Sequence, residues 1–168
     1  MLSFVLLIIM AEDIKKSDRT VENGDTISVD YVGKLEDGTI FDTSIKEVAV
    51  EAGIYNQNRD YKPLTFTVGA GQMIKGFDEG VVGMKEGEEK TLEIPPEEAY
   101  GEYREDLARE LPIDVVDFTP EIGMRLATDT GLMGVITDVN EKNFVVDFNH
   151  ELAGKTLIFV VKVVSVEE

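Results

Sequence analysis

One histidine, His150, and no cysteine stand in the 168 residues of this chain. Thiolate nucleophiles, disulfides and any metal centre built on two imidazoles are therefore excluded. His150, in Asn149-His-Glu151, has no such partner and reads as a structural residue, with no metal site. Carboxylates abound, 34 Asp and Glu against 16 Lys and Arg, but they scatter over turns and polar faces. That distribution suits solvation better than a carboxylate-pair hydrolase. Gly69-Ala-Gly71 lacks the spacing of a dinucleotide-binding fingerprint. What remains is aromatic: Tyr31, Phe41, Phe77 and Phe159, with Asp42 before Thr43-Ser44 and Tyr100 before Gly101. By periodicity alone the four rings are core residues of a β-rich domain, and Asp42 is a cap or Asx-turn residue.

The hydrophobic pattern supplies elements to position these side chains. Ile27, Val29 and Tyr31 alternate with Ser28 and Asp30 over residues 25–32, the mark of a strand with one buried face. Asp37-Gly38 reads as the positive-φ pair of a tight hairpin, returning through Thr39-Ile40-Phe41. Asp42-Thr43-Ser44 then ends the strand by bonding to nearby backbone. Residues 45–62 form a long polar surface loop, with a short helix near 47–52. Pro63 opens a second strand in which Leu64, Phe66 and Val68 share a face. After the Gly69–Gly71 break, read as backbone punctuation together with Gly76, residues Ile74, Phe77 and Val81 fall on one helical face. Residues 89–94 alternate again, with Leu92 and Ile94 inward, and Pro95-Pro96 stops them. Residues 157–166 are apolar on both faces, which predicts a strand covered on both sides. Phe159, Val161 and Val163 share one of those faces.

Residues 102–149 have a different texture. Turn signals at Leu111-Pro112, Thr119-Pro120 and Asp129-Thr-Gly131 separate short alternating strands at 124–128, 135–139 and 144–148. The expected architecture is α+β: an antiparallel sheet wrapped around one short helix, with a small all-β insert. The expected boundaries are a leader at 1–19, a host domain at 20–101 and 150–168, and the insert at 102–149.

The run Val29-Asp-Tyr-Val-Gly-Lys-Leu-Glu-Asp-Gly-Thr-Ile-Phe-Asp-Thr-Ser44 resembles the opening hairpin of FKBP-type peptidyl-prolyl cis-trans isomerases. Val68-Gly-Ala-Gly-Gln-Met-Ile-Lys-Gly-Phe-Asp-Glu-Gly-Val81 is similar to the strand–helix segment that floors their site. Ile94-Pro-Pro-Glu-Glu-Ala-Tyr-Gly101 resembles the start of their flap loop, and Leu157-Ile-Phe-Val-Val-Lys-Val163 their closing strand. The β unit ended by Phe148-Asn-His-Glu-Leu-Ala-Gly154 is similar to the insert-in-flap arrangement of SlyD-like and short archaeal members.

The resemblance implies catalysis of X-Pro isomerisation without a cofactor, on unfolded or partly folded polypeptides. It implies a groove formed by Tyr31, Phe41, Asp42, Ile74, Phe77, Tyr100 and Phe159, with Leu64 and Met73 contacting substrate. Tyr100 and the Ile74 backbone N–H are the implied donors to a substrate carbonyl. The family's basic neighbour of Asp42 is assigned to no residue, because the 45–62 connection is longer than usual. Phe77 stands where tryptophan is common, and Leu64 replaces a wall aromatic. The insert, with an apolar tip at Leu132-Met133, is expected to hold client chains and act as a chaperone. The alternative is a holdase that keeps the fold without isomerase activity.

Composition bounds the partners. A formal net charge of −18 repels nucleic acid and anionic membranes and favours neutral or basic polypeptides. The apolar stretch Met1–Met10 is shorter than the roughly 20 residues that span a bilayer, and no basic leading region or cleavage site accompanies it. It reads as a disordered or misassigned leader with Met10-Ala11-Glu12 as an ordinary start. The expectation is a cytoplasmic monomer.

Overall fold

The computed structural model describes residues 18–167. The leader reading, with its start at Met10, falls mostly outside the described residues. The chain divides into two compact units, one running to Ala99 and resuming at Lys155, the other spanning Tyr100–Gly154.

The first unit is built on β1 (Thr26–Leu35). Its alternation buries Ile27, Val29 and Tyr31 on one face. One edge of β1 is shared by two short strands. Its first half pairs with β3 (Leu64–Thr67), from Thr26↔Thr67 to Val29↔Leu64. Its second half pairs with β2 (Ile40–Thr43), at Val32↔Thr43 and Gly33↔Asp42. The other edge carries β9 (Leu157–Glu167) antiparallel along its whole length, and β4 (Glu89–Ile94) pairs with the far side of β9. This five-stranded antiparallel sheet matches the antiparallel sheet expected from the sequence.

The two helices are short: α1 (Lys46–Glu51) lies in the long connection, and α2 (Lys75–Gly80) carries Phe77. Two glycines inside a six-residue helix cost about 1 kcal/mol each in propensity, so α2 exists by packing. A Cβ on Gly76 would lie 2.5 Å from Ile94 Cγ2, and one on Gly80 would lie 2.7 Å from Leu92 Cδ1. Both glycines let α2 lie flush on β4, so Gly76 is a close-approach residue rather than punctuation. Asp78 of α2, buried, accepts the Gly69 N–H at 2.8 Å through Oδ1 and so secures the turn before the helix.

Two local expectations are corrected. The β1–β2 turn has one positive-φ residue, Gly38 at 87°, and no non-glycine residue takes that conformation among the described residues. Asp37 instead accepts the Thr39 N–H through Oδ1 at 2.9 Å, an Asx-type closure of a longer turn. β9 is covered on one face only. Leu157, Phe159, Val161 and Val163 are buried, whereas Val164 on the other face is 41% exposed and Ile158 and Val160 are half-buried. Its central place in the sheet satisfies the backbone, and its outer side chains meet solvent.

The second unit is a four-stranded antiparallel sheet, order β5-β8-β7-β6. Its strands are β5 (Ala108–Pro112), β6 (Arg125–Ala127), β7 (Met133–Val139) and β8 (Asn143–Asp147). The strand pattern of the sequence omits β5, which has one inward apolar residue, Leu111, and ends on a proline. Ile136, Phe144 and Val146 form the core, backed by Leu111, Met124, Leu126 and Phe148. At the base, the Gly154 N–H donates to Gly101 O at 2.7 Å. The Asn149 side chain brackets Arg104, accepting from its N–H and donating to its carbonyl, each at 2.9 Å. These bonds group Tyr100, Gly101 and residues 150–154 with the β insert.

Candidate active site

Four of the sequence-predicted rings meet on the inner face of the first unit. Phe159 lies at their centre, with ring centroids 5.2 Å from Phe77, 5.6 Å from Phe41 and 6.0 Å from Tyr31. The Phe77 and Phe41 contacts are edge-to-face, the arrangement that the ring quadrupole favours. Tyr31 also stands edge-on to Phe77 at 6.2 Å. Phe66, not among the candidates, closes the cluster beneath Phe77 at 5.8 Å. Its signal was present in the Leu64-Phe66-Val68 alternation. The cluster fits because β1 carries Gly33 opposite Phe159. A Cβ there would lie 2.8 Å from both Phe159 Cε1 and Phe41 Cζ. Phe77 is fully buried as a floor, Tyr31 and Phe159 retain 7% and 8% exposure, and Phe41 is half-buried.

At the edge of the rings Tyr31, Asp42 and Arg59 form a closed polar triangle. The Tyr31 hydroxyl donates to Asp42 Oδ2 at 2.7 Å, Arg59 Nη1 donates to Asp42 Oδ1, and Arg59 Nη2 donates to the Tyr31 oxygen at 3.0 Å. The Thr43 N–H adds a third donor to the carboxylate at 2.9 Å. Burial, and then the hydrogen bond to Asp42, pushes the Tyr31 phenol up to about 12, although Arg59 pulls the other way. The hydrogen bond to Asp42 raises the Arg59 guanidinium above its ordinary range. Arg59 is the basic neighbour that could not be assigned from the sequence. It sits in a loop without periodicity, and only the folded 45–62 connection brings it to Asp42.

The Tyr31 backbone is held as firmly as its hydroxyl. Its N–H donates to Ser44 Oγ at 2.9 Å, and its carbonyl accepts from Thr43 Oγ1 at 2.7 Å and from the Ser44 N–H at 3.1 Å. Ser44 Oγ in turn donates to Asp30 Oδ1 at 2.8 Å. Thr43 and Ser44 are both buried, so the Asp42-Thr-Ser run serves as a cross-strand clamp.

Leu64, Met73 and Ile74 are half-buried in the same unit. Ile74 is the N-cap of α2 and has no side-chain cap bond. Its carbonyl accepts the Phe77 and Asp78 N–H groups at 3.0 Å. Tyr100, Leu132 and Met133 belong to the second unit. Tyr100 is 43% exposed and stacks on His150 at 4.0 Å, within 3° of parallel. His150 Nδ1 accepts the Leu152 N–H at 3.1 Å, so the imidazole has a structural task there. Leu132 and Met133 line a groove of about 470 Å³ with Val135, Phe148 and His150. Among the described residues no group of three His, Cys, Asp or Glu side chains is placed to hold a metal ion.

The model of the FKBP-type peptidyl-prolyl cis-trans isomerase family matches residues 17–164. The chain belongs to that family. It is 46% identical over 150 residues to a short-type peptidyl-prolyl cis-trans isomerase of Methanocaldococcus jannaschii, covering 88% of this chain and 94% of the relative. It is 37% identical over 147 residues to an FKBP-type isomerase SlyD of Pasteurella multocida, covering 84% of this chain and 67% of that one. A shorter match, 47% identical over 79 residues, joins it to the mouse isomerase FKBP2 over 47% of each chain. An apolar ring cluster edged by an ion-paired carboxylate offers contact surface without a reactive group. No helix among the described residues is long and apolar enough to cross a membrane.

Proposed function

We propose that the Tyr31–Phe41–Phe77–Phe159 cluster is the surface on which this isomerase turns X-Pro bonds. Rotation about a peptide bond faces a barrier of about 18–20 kcal/mol, from the partial double-bond character of C–N. Unaided X-Pro isomerisation takes tens to hundreds of seconds. No bond is broken and no proton moves, so a catalyst has only to favour the twisted amide. An aromatic wall does so by withdrawing water from the charge-separated planar form and by gripping the pyrrolidine ring in one orientation. In this reading Phe77 is the floor, Phe41, Leu64, Met73 and Ile74 border the ring, and the Ile74 N–H donates to a substrate carbonyl. The observation that carries it is the interlocked ring cluster with the Tyr31–Asp42–Arg59 triangle at its rim. The test is a prolyl-peptide isomerisation assay with Asp42→Leu and Phe159→Ala variants. Each is expected to lower kcat/KM, with Phe159→Ala giving the greater loss. A wild type that does not accelerate the reaction overturns the reading.

The same proposal gives the β insert the task of holding incompletely folded, neutral or basic chains and presenting their prolines. Exposed Leu132 and Met133 beside the groove support it, and tethering raises the effective substrate concentration. Replacing residues 102–149 by a short loop is expected to spare turnover of short peptides and to slow proline-limited refolding of proteins. Unchanged refolding catalysis would end this part of the proposal. In this reading the protein works as a cytoplasmic monomer, in keeping with a cysteine-free chain of strongly negative charge.

A further inference from the structure

The loop that delivers Arg59 is built around two stacked tyrosines. Tyr55 and Tyr61 lie with ring centroids 5.6 Å apart and planes within 22°. The Arg59 guanidinium carbon stands 5.1 Å from the Tyr61 ring centroid, and Lys46 Nζ of α1 is 5.7 Å from that of Tyr55. The backbone between them is closed by Asn56. Its carbonyl accepts the Arg59 N–H at 3.1 Å, its Oδ1 accepts the Asn58 N–H at 2.9 Å, and its own N–H donates to the Tyr61 hydroxyl at 3.0 Å. Lysine, two rings and arginine thus form a continuous stack that runs from α1 to the rim.

We propose that Tyr61, backed by Tyr55, is a positioning residue for isomerisation that fixes Arg59 against Asp42 and Tyr31. This inference rests on the isomerase reading above. Arginine is a long side chain with much rotamer freedom, and Arg59 is 39% exposed. Left to itself it would spend much of its time in water, leaving Asp42 as a bare charge beside the rings. A bare carboxylate draws water to a surface whose catalytic value lies in excluding it. Stacking on Tyr61 removes that freedom before substrate arrives. Because Tyr61 supports the rim and not the ring floor, its loss falls on turnover and leaves substrate binding alone.

The experiment measures kcat and KM on a prolyl peptide for the full chain and for Tyr61→Leu, Tyr61→Phe, Arg59→Leu and the Arg59→Leu/Tyr61→Leu double variant. Nitrogen relaxation at the Arg59 Nε–H is recorded alongside. Tyr61→Leu is expected to lower kcat about two- to five-fold, the weight of an exposed cation–π contact, with KM held within about two-fold. Tyr61→Phe keeps the ring and stays near wild type. In the Arg59→Leu background the Tyr61 change adds nothing, since its effect passes through the guanidinium. The Arg59 Nε–H is rigid in the wild type and mobile in Tyr61→Leu. The inference is overturned by an unchanged kcat in natively folded Tyr61→Leu, by an equal loss in the Arg59→Leu background, or by an Arg59 Nε–H as rigid without the ring. If the wild type does not isomerise but Arg59 still loosens in Tyr61→Leu, the anchor stands as structure. The isomerase reading then falls, and the catalytic role of Tyr61 with it.

Discussion

The two units use their apolar residues in opposite ways. The first buries Ile27, Val29, Phe66, Phe77, Val81, Ile94 and Val161 almost completely. The second has three near-fully buried core residues, Ile136, Phe144 and Val146, and leaves Val115, Ile122, Leu132 and Met133 half or more exposed. Each sheet nevertheless contains one glycine against bulky side chains. Gly33 makes room for Phe41 and Phe159, and Gly134 for Val146 and Phe148, where a Cβ would lie 2.6 and 2.7 Å away. The same device serves an interlocked ring cluster in one unit and a thin, half-exposed layer in the other. A small sheet with little to bury is marginal by itself, which fits the client-holding role proposed for it.

The sharpest way to break this contrast is to fill the two glycines. Gly33→Val must displace Phe41 and Phe159, so prolyl-peptide turnover should be lost, with about 1–3 kcal/mol of destabilisation in urea. Gly134→Val should cost a similar amount but confine the damage to the β insert. Amide exchange should then rise in β7 and β8 while short-peptide turnover stays at wild type. Loss of peptide turnover in Gly134→Val would show that the units are not separable.

Tyr31→Phe probes the rim. Removing the hydrogen bond to Asp42 should cost roughly 1–2 kcal/mol at neutral pH, and alkali should erase that difference. The unfolded phenol ionises near 10, whereas the folded one holds its proton to about 12. Between those values the unfolded state binds fewer protons, so stability falls with rising pH. The wild type should therefore lose up to about 2 kcal/mol between pH 10 and 12, an effect absent from Tyr31→Phe and readable as converging urea midpoints. The smallest effect is expected in the insert. Leu132→Ser with Met133→Ser should shift stability by less than about 0.5 kcal/mol and leave peptide turnover unchanged, yet weaken suppression of aggregation by unfolded clients.

The parts of this fold legible in the sequence are those with local periodicity. Ile27-Val29-Tyr31 and Leu64-Phe66-Val68 alternate cleanly, and Ile74, Phe77 and Val81 keep helical spacing, so the sheet and floor helix follow from pattern alone. The resemblance turned Tyr31, Phe41, Phe77 and Phe159 from core residues into a candidate surface. Arg59 stayed hidden because its partner lies across a loop whose shape depends on tyrosine stacking, which no periodicity encodes. β5 was missed because Ala-Arg-Glu-Leu-Pro presents one apolar residue inward. The outer face of β9 is not legible in the sequence, because apolar residues on both faces mean coverage only when something lies on each, and residue types do not say whether it does.

Tyr31 is fastened at three points, by its amide, its carbonyl and its phenol. A side chain so tethered has little freedom to swing. On the proposed reading the tyrosine end of the ring cluster is a fixed template, set once when the hairpin closes, and adaptation to different sequences around proline comes from the incoming peptide.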